Sequence, residues 1–452
     1  MAMRSGSLGV SLGMLARWNI FANRRLPHVA TALGDSRADA MYLEPAQRNR
    51  NARSPLNVAN SLIGHRLTIG QTFGRSGDRT DHLFARLDAA IATGAGLLHL
   101  WCGVNNVAKV ASGGFTYNHE VTGELVTIAN VAAVTMRDLR DICAKALRAG
   151  MIVVLENEVG SKDLSSAEKI TALMDLRQMI AEYGDATPGV YVHDAYTTLM
   201  QATTTTPSFK TGLSYDGVHE NARGAFKHAR SLAALLSSIV PPRASVLSKG
   251  MNDVRAYGRR QLLLNHLFTT TNGGTAASGV TGNVPASFTT TAINATASLT
   301  SGANASGVGN YVECVIDFTA MGGTFRLNQA LDAQGGTWNS ALVVGDWVEA
   351  VSEVEIIGTA GALAGVALEL TGYDGAANFG SMDLVMPVDI AATDLGPDEP
   401  CVLTLRTRPT QIPPRQPGTN PYVAIILRVR SVAAGQVTLR VRQIALRRRM
   451  AA

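Results

Sequence analysis

The chain has 452 residues, more than one hydrophobic core usually supports, so two domains are expected. Charged residues are only 17% and glycine is abundant at 44 residues, which excludes a disordered chain or a coiled coil and fits packed sheets and turns. A formal net charge of +5 is too small at this length to argue for nucleic-acid binding. Its excess is local: residues 1–60 hold eight Arg against three acids, and the last thirteen hold five Arg and no acid.

Residues 1–27 read as an N-terminal segment. Its mildly apolar opening, Met1–Ala16, is broken by glycine and serine and has no clear cleavage site, so docking onto another protein is expected of it. From 28 to 240, short apolar runs alternate with helical stretches. Strands are predicted at 28–33, 67–73, 96–102, 151–156 and 190–195, and helices near 38–60, 79–93, 124–149, 164–183 and 221–239. Such alternation implies an α/β domain with a parallel sheet and helices on both faces. Right-handed crossovers then bring every strand C-terminus to one side. Pro241-Pro242 ends the last helix, and 241–262 reads as a linker.

The composition changes after that. Residues 263–310 are rich in Thr, Ala, Gly, Ser and Asn. From Tyr311 on, seven period-two segments recur, separated by Gly, Pro, Asn or Asp, so 263–452 is predicted to be an antiparallel sandwich, a jelly roll. Trp338, Trp347, Tyr373 and Tyr422 are candidate sugar-stacking aromatics, although Trp347 lies within an alternating strand and is expected in the core. The terminal Arg447-Arg448-Arg449 reads as a solvated charge run. No apolar run reaches membrane-spanning length. Cys102, Cys143, Cys314 and Cys401 lack metal-ligand spacing, and neither a metal site nor a cofactor is expected.

Four short motifs carry chemistry: Gly34-Asp35-Ser36, Ser76-Gly77-Asp78, Gly103-Val104-Asn105 and Asp216-Gly217-Val218-His219. A serine hydroxyl is a weak nucleophile near neutral pH and needs a base, which in turn needs an orienting acid. Ser36 falls where a strand gives way to a helix, with a backbone N–H available to a developing oxyanion. Gly77 and the Asn105 amide follow two further strands and are candidate donors to the same oxygen. Asp216 and His219 sit three residues apart on one turn, so the carboxylate can hold the ring tautomer while the imidazole takes the serine proton. Convergence of donors from three strand ends requires those strands to be parallel and adjacent.

In order and content these motifs resemble the four blocks of the SGNH (GDSL-type) hydrolase family over roughly residues 28–240. The resemblance implies a flavodoxin-like three-layer parallel sheet, with Ser36, Asp216 and His219 as catalytic residues and Ser36, Gly77 and Asn105 as the oxyanion hole. Two positions depart from the family pattern: Asn106 stands where Asp is common, and Arg37 where an apolar residue is usual. With Arg75 and Arg79, Arg37 suggests an anionic group near the cleft; pairing with Asp35, Asp39 and Asp78 is the alternative. The start of the second domain loosely resembles carbohydrate-binding-module-like sandwiches.

Together the two resemblances imply a serine esterase held on a polymer. The expected reaction is removal of O-acetyl groups from a polysaccharide or glycan through an acyl-enzyme. The style of the domains also resembles bacteriophage tail proteins. On that expectation the chain is a homotrimeric deacetylase of host surface polysaccharide, attached to the virion through residues 1–27; otherwise it is secreted. Two rivals are a general carboxylesterase or lipase, and a non-catalytic carbohydrate-binding or structural tail protein.

Overall fold

The computed structural model describes residues 25–39, 42–43, 49–50, 52–111, 113–202, 206–243, 246–250, 261–332, 342–385, 396–416 and 421–449. Residues 1–24, of which attachment was expected, the central part of the expected linker and Trp338 lie outside the described residues. The described residues group into two compact units: one from Met1–Asp39, Leu67–Val159 and Leu164–Asp194, the other from Ala40–Arg66, Gly160–Asp163 and Ala195–Ala452.

In the first unit, strands β1 (Val29–Gly34), β2 (Thr68–Gly74), β3 (Leu97–Trp101), β4 (Ile152–Glu156) and β5 (Val190–His193) form one parallel sheet in the order β2-β1-β3-β4-β5. This is the flavodoxin-like order, and its topological switch lies between β1 and β3. All residues of β3 and β4 are buried, which explains why both read as continuous apolar runs rather than as alternating ones. Helices α2 (Thr80–Ala92), α4 (Val131–Arg148) and α5 (Ala167–Ala186) supply Leu83, Leu87, Ile142, Leu173 and Leu176 to a core shared with Leu33, Leu100 and Val153 of the sheet. Two shorter helices, α1 (Ser36–Asp39) and α3 (Val104–Ala108), open directly beyond β1 and β3.

The predicted helix over 38–60 is not one helix. α1 stops at Asp39, and a separate helix runs from Pro55 to Leu62. Ser54-Pro55 is a start signal inside the apolar pattern: the Ser54 hydroxyl accepts the Asn57 N–H at 3.3 Å, and proline takes the first helical position, where an N–H would have no partner. This segment belongs to the second unit, where Asn49–Arg50 pairs in parallel with the strand Asn378–Val385. Buried His65 reinforces that attachment. Its Nδ1 lies 3.1 Å from the Asn60 amide nitrogen and its Nε2 3.1 Å from an Asp383 carboxylate oxygen, which fixes the proton on Nε2.

Helix α6 (Ala222–Ile239) also groups with the second unit by its contacts. It packs on the Pro55–Leu62 helix, and its Lys227 pairs with Asp398 at 2.9 Å and with Glu399. An apolar helix pattern shows that a face is buried but not against what.

The rest of the second unit is the expected sandwich. Its strands are β6 (Thr289–Ile293), β7 (Ala295–Ala303), β8 (Asn310–Phe318), β9 (Thr324–Asp332), β10 (Trp347–Gly358), β11 (Leu363–Tyr373), β12 (Asn378–Val385), β13 (Cys401–Arg406), β14 (Tyr422–Ser431) and β15 (Gly435–Arg449). They pair antiparallel as β7-β8-β15-β10-β13 and β6-β9-β14-β11-β12. From β8 onward the chain crosses between sheets in the sequence that makes two Greek keys, a jelly roll; β7 and the short parallel strand Val280–Gly282 extend one sheet, and β6, Asn49–Arg50 and Tyr42–Leu43 extend the other. Strands β6, β7 and β9 were not expected from the sequence, nor were the short strands Val280–Gly282 and Thr410–Gln411. β6 and β7 are built largely of Thr, Ser, Ala and Gly, whose alternation gives little contrast in hydropathy.

Trp347 is 41% exposed rather than in the core, because the register of β10 sends Val348 and Ala350 inward. The terminal arginines are not a solvated run either. Arg447 and Arg448 lie in β15, paired with Glu349 and Asp346 at 2.5 Å each.

Candidate active site

Three of the four motifs leave the sheet at one level. Gly34, the last residue of β1, is in register with Gly74 of β2 on one side and Trp101 of β3 on the other. Ser36, Gly77 and Asn105 therefore follow three adjacent strand ends, with Ser36 on the middle one. Gly34 is required by close approach, since a Cβ there would meet the Trp101 carbonyl oxygen at 2.1 Å. Gly77 is required by its backbone. It is exposed at φ +79°, a region side chains avoid, and its N–H donates to no acceptor among the described residues.

Ser36 is half-buried and opens α1. Asn105 is half-buried too, and its amide nitrogen donates to the Asp78 carbonyl oxygen at 2.9 Å. One amide hydrogen is thus used to fix the side chain against the Gly77 turn, and the other has no acceptor among the described residues. Asn106 does separate work. Its Oδ1 accepts the Thr80 N–H at 3.0 Å, and its Nδ2 lies 3.0 Å from both the Thr80 and Tyr117 hydroxyls. The Asn106 amide thereby caps the first turn of α2.

Behind Ser36 sits a buried ion cluster. Arg37 reaches Asp35 through Nε at 3.0 Å and Nη2 at 2.6 Å, and Glu158 through Nη1 at 2.7 Å and Nη2 at 3.0 Å. Its guanidinium stacks on the Trp101 ring, 4.4 Å from the centroid. Burial works against the Arg37 cation, yet Asp35 and Glu158 hold its pKa well above the usual arginine value. Burial also pushes the Glu158 carboxyl up, with Arg37 pulling it back. Glu158 accepts the Val104 N–H as well, so Arg37 links the turn holding Ser36 to the turn holding Asn105.

Arg37 is therefore spent internally and is no candidate for substrate. Arg79 is likewise engaged: it forks onto Asp81 at 3.0 and 2.8 Å and lies 4.1 Å from the Tyr117 ring centroid. Arg75 is exposed and makes no ion pair among the described residues, so of the three predicted substrate arginines it alone presents a free charge.

The fourth motif belongs to the second unit and is organised within itself. His219 Nδ1 lies 2.7 Å from Asp216 Oδ2, while Asp216 Oδ1 accepts the N–H groups of Val218 at 2.8 Å and His219 at 2.7 Å. With Nδ1–H donated to Asp216, Nε2 is the basic nitrogen. Partial burial opposes ionisation of Asp216, but these hydrogen bonds prevail and hold its carboxyl below the usual carboxylate range. The Tyr215 ring stacks on the imidazole with centroids 5.7 Å apart, and Arg53 covers Tyr215 at 4.4 Å.

Glu158, Tyr215 and Arg53 were not found from the sequence. Glu158 has no motif of its own, and Arg53 is distant in the chain from His219. Only the Tyr215–Asp216 adjacency was available as a signal.

No protein-family model matches the chain, and no curated protein sequence matches it. Among solved structures it is similar to a member of the lipolytic protein G-D-S-L family from Veillonella parvula DSM 2008, at 15% identity and a TM-score of 0.32 over 46% of this chain and 98% of that one. It is also similar to an acetyl xylan esterase, AlAXEase, at 16% identity and a TM-score of 0.35 over 46% of this chain and 99% of that one. A third similarity is to carbohydrate-binding modules of the β-sandwich superfamily, at 16% identity and a TM-score of 0.24 over 35% of this chain and 56% of that one. Likenesses at this level decide neither reaction nor substrate.

Proposed function

We propose that the chain is a serine ester hydrolase of the SGNH type that removes O-acetyl groups from a polysaccharide. Two arrangements carry this reading, one within each compact unit and each costly to build by accident. One is three motif residues leaving three in-register strand ends; the other is an Asp–His pair already holding the imidazole in its basic tautomer. In the proposed mechanism Ser36 Oγ attacks the acetyl carbonyl while His219 Nε2 takes its proton. The oxyanion is met by the Ser36 and Gly77 N–H groups and the Asn105 amide. Collapse expels the sugar hydroxyl, protonated by His219, and water then releases acetate from Ser36 by the same steps.

Loss of the Asn105 amide is expected to lower kcat by about 100- to 1,000-fold with KM little changed, measured for Asn105→Ala on a nitrophenyl ester. Uniform binding would instead show as a rise in KM alone.

The test of the whole reading is acetate release from O-acetylated bacterial surface polysaccharide, with Ser36→Ala as control. Release that requires Ser36 supports it. Cleavage of nitrophenyl esters that strengthens with acyl length, with none from polysaccharide, would replace it by a lipase. Silence on both would leave a binding protein.

A further inference from the structure

The two sheets of the sandwich treat their arginines differently. On β15, Arg440 pairs with Glu313 at 2.8 Å, Arg442 with Glu353 at 2.9 Å and Glu355 at 3.1 Å, and Arg447 and Arg448 with carboxylates as described above. On the other sheet, β9 and β14 carry Arg326, Arg428 and Arg430 on one face. Among the described residues, Glu369 of β11 is the only carboxylate paired with any of them, at 2.7 Å from Arg428. Arg326 and Arg430 form no ion pair among the described residues.

The register makes this arrangement unfavourable for folding alone. Arg326 lies directly opposite Arg428, and Arg430 stands two residues further along β14, opposite Thr324. Like charges facing each other across strands, roughly 5 Å apart at Cβ, repel. The strain is visible in Arg428, whose pKa is lowered first by burial and further by Arg326 and Arg430, against the pull of Glu369. The opposite face of these strands is ordinary core: Phe325, Leu327, Leu427 and Val429 are at most 1% exposed. Three half-buried guanidinium groups with one carboxylate between them thus form a fixed cationic row, held at strand spacing on a rigid sheet.

We propose that this face of the sandwich binds an acidic polysaccharide, its carboxylates taking the places that Arg326 and Arg430 leave open. A single-stranded nucleic acid is the competing polyanion. It is disfavoured here because Thr291, Ala367 and Thr324 are the residues in register beside the arginines, while the aromatic pair of this face, Tyr373 opposite Tyr422, stands six residues along β14 from Arg428, roughly 20 Å away. The inference concerns binding alone and does not depend on Ser36 being a nucleophile.

The experiment uses the full chain carrying Ser36→Ala, so that the polymer is not altered, in affinity electrophoresis through gels containing polygalacturonate, neutral dextran or single-stranded DNA. Retardation by polygalacturonate is expected, weakening as salt is raised. It should fall by roughly tenfold in affinity for each of Arg326→Gln and Arg430→Gln, while Arg440→Gln, which removes a paired arginine from the other sheet, leaves it unchanged. Because neither residue is paired, both variants should melt no lower than the parent, and this separates lost binding from lost folding. The proposal is overturned by any of four results: no retardation, equal retardation in dextran, equal loss in Arg440→Gln, or tighter binding of DNA. Loss of binding with Ser36-dependent esterase activity intact would remove this inference and leave the proposed reaction standing.

Discussion

Ser36→Ala and His219→Ala should each lower kcat on a nitrophenyl acetate by about 10⁴- to 10⁶-fold, and the double variant should lose no more than the worse of the two. A nucleophile without its base, or a base without its nucleophile, cannot carry out the proton transfer, so the second deletion has nothing left to remove. Ser36 belongs to the first compact unit and His219 to the second, which makes this non-additivity the direct test that they act together. If His219→Ala costs less than about tenfold, or if the two losses multiply, the proposed base is wrong. Asp216→Asn tests the third member, since an amide in place of the carboxylate favours the wrong tautomer and should cost about 10⁴-fold.

The pH dependence follows from the same turn. Asp216 is a carboxyl held below its unfolded value of about 3.9, so whatever stability it contributes is present above that pH and is lost only as pH falls through its folded pKa. Asp216 therefore stays ionised through the neutral range. The acid limb of a kcat/KM profile should survive in a variant that keeps this carboxylate and should not coincide with its titration.

The largest expected effect on stability comes from Arg37→Leu, which puts an apolar residue in place of the buried cation. It should lower the unfolding free energy by about 3–5 kcal/mol at pH 7, measured by urea denaturation. Asp35 and Glu158 are both 0% exposed, and the variant leaves two carboxylates sharing one dry site with no cation between them. The sign with pH is fixed. Acids whose folded pKa lies above the unfolded one hold more protons when folded, so the deficit should shrink as pH falls toward the carboxylate range and grow as it rises. Adding Glu158→Gln should recover part of the loss by removing one of the stranded charges. Arg37→Lys should fall between, because an ammonium restores the charge but cannot fork onto two carboxylates at once. A loss under about 1 kcal/mol at neutral pH would mean that water reaches the cluster.

The five parallel strands were legible to within a residue or two. β3 and β4 are short apolar runs buried on both faces, which leaves little room for other patterns, whereas β2 is mostly half-buried and carries Thr, Gly and Gln around Ile69 and Phe73. The places of the four motifs were legible because strand ends and turns are marked in the chain, and the proposed chemistry needs particular residue types there. The Asp216–His219 bond is local and could be inferred from a spacing of three.

Other features depended on what the chain meets in space. The helix predicted over 38–60 was divided by Ser54-Pro55, and its second half joined the sandwich. Only tertiary structure could say that Arg37 faces Glu158, 121 residues away, rather than substrate. The same holds for the arginines of β9 and β14. A period-two pattern tells which residues share a face of a strand, but not whether the neighbouring strand brings a carboxylate or another arginine. The sequence determines local geometry because backbone preference and side-chain spacing act over a few residues. The pairing of buried charges was decided by the fold, since a charge is satisfied only by whatever group the packed chain places within about 3 Å of it.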